Sequence, residues 1–184
     1  MGLKDIYKAL TIGALYTALA AATFATPAYA EGGTVRPEGL DDVLKNVMRV
    51  ENFYPERGLY IGEIKVEFQP DICGTTEEAT QRTSVHIILY DRDTLARSPA
   101  ELGPNDRLEL IVSAPSPSIM ISDKGVDGLN PDDKGDYGMH LCPNPENPDK
   151  PIKIEGDTNM YQKIYQKLIT ALQKAFNNLS GVDK

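Results

Sequence analysis

The chain has 184 residues with 19 Lys+Arg against 27 Asp+Glu, a formal net charge of −8, and only two Cys, two His and no Trp. This balance argues against nucleic acid and anionic membrane surfaces as partners, because phosphate binding draws its affinity from Lys and Arg. It suits a soluble extracytoplasmic protein, or a partner carrying positive charge.

Residues 1–30 read as an export leader. Lys4 and Lys8 make a short basic start, partly offset by Asp5, and an uncharged Ala/Leu-rich run extends from Ala9 to Phe24. Pro27 and the small-x-small triplet Ala28-Tyr29-Ala30 then supply a cleavage site. The competing reading is a retained anchor, but spanning the hydrocarbon takes roughly 20 apolar residues. This run is shorter and is diluted by Thr11, Thr17 and Thr23. After cleavage the expected product has 17 basic and 26 acidic residues in 154 positions, the length of one domain, with no stable membrane insertion.

Residues 31–36 are expected to be a mobile stub, followed by a single domain over 37–181 and a tail at 182–184. A first helix is predicted from Pro37 to Phe53, with Leu40, Val43, Leu44, Val47 and Met48 at helical spacing and acids in the first turn. Tyr60 to Phe68 alternates as a strand, with Tyr60, Gly62, Ile64, Val66 and Phe68 on one face and Ile61, Glu63, Lys65 and Glu67 on the other. A period of two predicts one packed face and one mostly wet face. Gln69 to Gln81 reads as a loop holding Cys73. Ser84 to Tyr90 is more apolar, hence a central strand. A polar excursion with a helical turn near Pro99 precedes a strand at Arg107 to Ser113. Short strands follow at Ser118 to Ser122, Tyr137 to Cys142 and, at an edge, Ile152 to Ile154, with turn-rich and proline-rich loops between them. Asn159 to Leu179 carries a broad apolar stripe, with Asp157 or Thr158 as N-cap. The fold class is α+β: one antiparallel or mixed sheet of four to six short strands covered by N- and C-terminal amphipathic helices.

Cys73 and Cys142 are an even pair in an exported chain and are expected to form one disulfide. Closing a loop of about 70 residues contributes roughly 4 kcal/mol on the chain-entropy model. A zinc site using both cysteines with His140 and His86 is the alternative, although close-spaced ligand pairs are absent.

The segment from Asp123 to Asp136 is the most acidic turn region. Asp123, Asp127, Asn130 and Asp132 are candidate calcium ligands, since carboxylates and an amide carbonyl on a Gly-rich loop suit a hard cation. Asp123, Asp127 and Gly128 match positions 1, 5 and 6 of an EF-hand loop, but Gly125 and Lys134 occupy positions 3 and 12. Ordinary turn formation explains the same residues.

Catalytic residues are not assigned. There is no nucleophile elbow, and Ser84-x-His86 shares a strand face as any alternating strand would. Glu63 with Glu67, or Asp91 with Asp93, are the acid pairs available for glycosidase-type chemistry across about 5–9 Å. Tyr54, Tyr60, Tyr90 and Tyr137, at predicted element ends or in loops, are candidates for an interface. The resulting expectation is a secreted or periplasmic, non-enzymatic module binding a protein, peptide or envelope component. A carboxylate-based hydrolase of envelope polymers and a calcium-stabilised domain are the alternatives, and no other cofactor is expected.

Overall fold

The computed structural model describes residues 35–49, 52–54, 58–68, 72–73, 81–91, 96, 98–113, 118–147, 150–156 and 158–180. Residues 1–34, with the expected leader and most of the expected stub, most of the 69–80 loop, and residues 181–184, with the expected 182–184 tail, lie outside the described residues. Helix α1 is Leu40–Val47, and strands β1 (Phe53–Tyr54), β2 (Leu59–Phe68) and β3 (Gln81–Tyr90) follow it. After a 3-10 turn at Pro99–Glu101 come β4 (Arg107–Ser113), β5 (Ser118–Lys124), β6 (Tyr137–Cys142), β7 (Ile152–Glu155) and helix α2 (Thr158–Ser180). The seven strands pair in chain order, every pair antiparallel. The α+β class and the antiparallel sheet agree with expectation, whereas the strand count exceeds it by one.

The extra strand arises from the first helix. Its apolar residues Leu40, Val43, Leu44 and Val47 are buried as the spacing predicts, but the helix stops at Met48. Phe53, assigned to the helix end from sequence, instead pairs with Tyr60 in β1, their ring centroids 4.6 Å apart. Burying an aromatic face against the sheet outweighs one further helical turn.

On the inner face, Tyr60, Ile64, Val66 and Phe68 of β2 join Val85, Ile87, Leu89, Leu108, Leu110, Val112, Ile119 and Ile121 under both helices. From α2 come Tyr161, Ile164, Tyr165, Leu168, Ile169 and Leu172, all buried. Gly138 admits this helix. A Cβ there would meet the Tyr161 ring at 2.0 Å, so only glycine lets the ring lie on β6.

The outer face departs from the wet surface predicted from β2. Glu63, Lys65 and Glu67 are exposed, but on the central strands Ile88, Ile111 and Met120 are buried together with Leu59. Glu109 is also buried there, accepting from Tyr90 Oη at 3.1 Å, with Arg107 Nη1 at 3.9 Å. Desolvation raises its pKa in spite of both partners. The alternation read in β2 therefore described that strand, not the sheet.

Cys73 and Cys142 form the expected disulfide, Cα–Cα 5.5 Å across a sequence separation of 69. It ties the connection after β2 to the end of β6, bridging the ends of β3, β4 and β5. Such a closure contributes roughly 4 kcal/mol through the unfolded chain. Among the described residues, no helix is long and apolar enough to cross a membrane.

Candidate functional site

Two places gather groups with chemistry or binding capacity. They are the loop joining β5 to β6 and the edge of β2 under α2.

The β5–β6 loop begins later than the sequence suggested, because β5 continues through Asp123 and Lys124. This places Asp123 on the inner face, fully buried. Its Oδ1 accepts the Asp127 N–H at 3.2 Å. Its Oδ2 accepts the Gly128 N–H at 3.1 Å and the Tyr165 hydroxyl at 2.8 Å. Asp136 repeats the device from the far end of the loop, accepting from Lys124 N–H at 2.6 Å and Asn130 N–H at 2.8 Å. Asp133 takes Lys124 Nζ at 3.1 Å and the Gly135 N–H at 2.7 Å. Asn130 Oδ1 accepts the Asp132 N–H at 2.9 Å, an Asx turn.

The loop is also fastened to the rest of the protein. Leu129 N–H donates to Gln162 Oε1 at 3.0 Å, and the Arg36 guanidinium bonds both the Val126 carbonyl and Asp41. Gln162 Nε2 bonds the Val35 carbonyl. Val35 and Arg36, placed in the loose stub from sequence, are therefore held against the loop. Gly128, at φ 105°, must be glycine because a Cβ would sit 2.4 Å from that same Val35 carbonyl oxygen.

The electrostatics follow from burial. Desolvation pushes the Asp123 pKa up to about 6, against the pull of the Tyr165 hydrogen bond and with help from the Asp136 charge. Asp136 is raised as well, again mainly by desolvation. Tyr165 lies well above its usual value because it is desolvated beside Asp123. Asp133 is lowered by the Gly135 N–H and by Lys124.

Of the four residues proposed for calcium, only Asp123 and Asp127 come together. The third carboxylate within 4.8 Å of both is Asp136, not Asn130 or Asp132. Sequence reasoning placed Asp136 at the end of the candidate loop but not among its ligands, because pattern alone does not show which aspartate turns inward. The only available signal was its position immediately before the strand that begins at Tyr137.

The two histidines do not converge. His86 lies on the outer face, Nδ1 3.8 Å from Glu63 Oε2, whereas His140 is buried on the inner face. His140 Nδ1 is 2.7 Å from Tyr161 Oη, which donates to the Ile154 carbonyl at 3.1 Å. With the tyrosine proton committed to Ile154, His140 Nδ1 carries the hydrogen of a neutral ring, in keeping with a pKa lowered by desolvation. Both sulfurs near His140 are joined in the disulfide, so the zinc arrangement lacks thiolates.

The acid pairs are likewise dispersed. Glu63 and Glu67 stand exposed on β2, the buried Asp91 accepts the Ala96 N–H, and Asp93 lies outside the described residues. Of the four tyrosines, Tyr60 turns inward and donates to the Ala96 carbonyl at 2.5 Å, and Tyr90 is committed to Glu109. Tyr54 and Tyr137 remain exposed.

The second place was not anticipated. β1 pairs only with Leu59 and Tyr60, so among the described residues no strand covers the edge of β2 from 61 to 67. Beside this edge lies a groove of 540 Å³, floored by residues 63–67 and Arg82 and walled by Ala171, Lys174, Ala175, Asn178 and Leu179 of α2. Every second residue of the edge turns its N–H and C=O away from β3, which makes the edge a template for another strand. Comparison with family models, with curated proteins and with solved structures returns no match to this chain.

Proposed function

We propose that this is an exported, non-enzymatic binding module that takes up an extended polypeptide segment along the edge of β2. The observation that carries the reading is the groove itself, a seven-residue strand edge unpaired among the described residues and lying open beside α2. Main-chain hydrogen bonds to such an edge supply affinity, and the side chains flanking it supply selectivity. A binding role is favoured over hydrolysis by access. The acid with the most raised pKa, Asp123, has no exposed surface and three hydrogen-bond donors already on it. Export rests on the leader-like residues 1–30 and fits a disulfide, which persists in oxidising compartments.

The test is site-specific photo-crosslinking in cells producing the full chain. A benzophenone side chain replaces Lys174, which lines the groove, and in a control replaces Lys134 on the acidic loop. Polypeptide adducts from position 174 and none from 134 are expected. Absence of adducts at 174 overturns the reading.

A second reading, calcium stabilisation, is favoured by the approach of Asp123, Asp127 and Asp136 within 4.8 Å. A cation bound only by the native state raises its stability. On this reading, millimolar calcium shifts the melting curve upward and Asp127→Asn abolishes the shift. A curve unmoved by calcium and by chelator eliminates it.

A further inference from the structure

We infer that the strand accepted by β2 is the β2 of a second copy of this chain, paired antiparallel about a two-fold axis through Val66. The inference rests on the strand-addition reading and names its partner.

Charge is the first argument. The outer side of the edge reads Glu63, Lys65, Glu67, and neither the Lys65 ammonium nor the Glu67 carboxylate has a hydrogen-bond or ion-pair partner among the described residues. Antiparallel pairing about Val66 sets Lys65 opposite Glu67 of the second copy, and Glu67 opposite Lys65 of the second copy. Val66 then meets its own counterpart, whereas pairing about Ile64 would set Phe68 of the second copy opposite Tyr60, the place Phe53 already holds. Centring the axis on Lys65 instead would place lysine against lysine and glutamate against glutamate. Directly opposed unlike charges stabilise a pair of strands, and like charges destabilise it.

The helix above the edge is the second argument. Ala171, Ala175 and Leu179 follow each other at spacing four on the wall of the groove, and Leu179 is 76 % exposed. A lone peptide strand would leave this stripe uncovered. A two-fold axis normal to the sheet brings the second α2 alongside in the opposite direction. The stripes from Ala171 to Leu179 of the two copies then face one another across the axis, and the small residues in them permit close approach. Together the two sheets become one continuous sheet of fourteen strands, since each copy contributes seven, and the exposed edge is removed.

Sedimentation equilibrium on the purified full-length product tests this, with thermal unfolding as a check that each variant is folded. The wild type is expected to be a dimer at tens of micromolar. Lys65→Glu makes the edge uniformly acidic and should weaken the dimer roughly tenfold or more. The double change Lys65→Glu with Glu67→Lys exchanges the two charges. It restores the dimer in the Val66-centred register, whereas a register centred on Ile64 stays repulsive. A wild type that is monomeric at about 100 µM overturns the inference, as does a dimer indifferent to Lys65→Glu. A dimer lost in the single variant and not regained in the double overturns the register. The crosslinking experiment separates the two levels. An adduct at position 174 of twice the chain mass supports self-pairing. An adduct to a different protein, with a monomer in solution, overturns self-pairing and leaves the strand-addition reading intact. No adduct overturns both.

Discussion

The β5–β6 loop and the edge of β2 are both charged, and they treat their backbones in opposite ways. In the loop, Asp123, Asp133, Asp136 and Asn130 turn inward to accept N–H groups of the turns they enclose. The acidity there is consumed by the loop's own construction. Along β2, Glu63, Lys65 and Glu67 point outward, and on the side away from β3 the backbone beyond Tyr60 has no partner strand among the described residues. The acid-rich segment that draws the eye in the sequence is thus largely self-satisfied, and the ordinary-looking strand is the unfinished surface. A high density of carboxylates is a poor guide to a site when turn backbones nearby need acceptors.

The contrast is sharpest in its expected energetics. Asp123→Ala should be the most damaging change, because it strands two N–H groups and the Tyr165 hydroxyl in a buried setting. A loss of about 4 kcal/mol in denaturant unfolding is expected. A loss under 1 kcal/mol would show that the loop is not braced from within.

The next effect is in pH. The folded pKa of Asp123 lies near 6, above its ordinary value of 3.8, so the native state holds the proton more tightly than the unfolded chain. Its contribution is complete below about pH 4 and is lost as pH rises through 6, up to about 3 kcal/mol. Asp136 acts in the same direction. His140, with its pKa lowered, acts oppositely, losing stability as pH falls through the range below its ordinary 6.5. The comparison with Asp123→Asn isolates the first group. Between pH 4 and 7 the wild type should lose stability relative to this variant, and parallel pH profiles would refute the assignment.

Tyr165→Phe removes one donor while leaving the ring in place, for an expected cost of about 1–2 kcal/mol in the same unfolding assay. At the other extreme, Lys65→Ala on the β2 edge should change the stability of the monomer by less than about 0.5 kcal/mol. Its effect is on association alone. A large loss of monomer stability would show that the edge is already engaged within the chain.

Much of the fold was legible because a period of two and a period of 3.6 are local signals. The bounds of β4 and β6 and the buried stripe of α2 could be read directly from Arg107–Ser113, Tyr137–Cys142 and the spacing of Tyr161, Ile164, Tyr165 and Leu168. The pairing of the two cysteines followed from their number and the expected export leader. The two-residue β1 was not legible, since it owes its existence to the tilted contact of the Phe53 ring with Tyr60. The dryness of the outer face at Ile88, Ile111 and Glu109 was also hidden, because each strand taken singly shows one residue where the sheet sets several side by side.

Contiguous pattern alone was enough for the class of the protein: helices at both ends, a sheet of short strands, antiparallel or mixed, between them and one covalent tie. These depend on repeat patterns and composition, which are properties of contiguous residues. Only the tertiary structure decided what each charged residue does. Asp123 became a buried acceptor because Tyr165, 42 positions away, lies against it. The edge of β2 became a candidate interface because β1 ends after two residues and α2 leaves a groove beside it. Whether a carboxylate faces solvent or an N–H group, and whether a strand has a neighbour, is set by contacts distant in sequence, and local pattern carries no record of them.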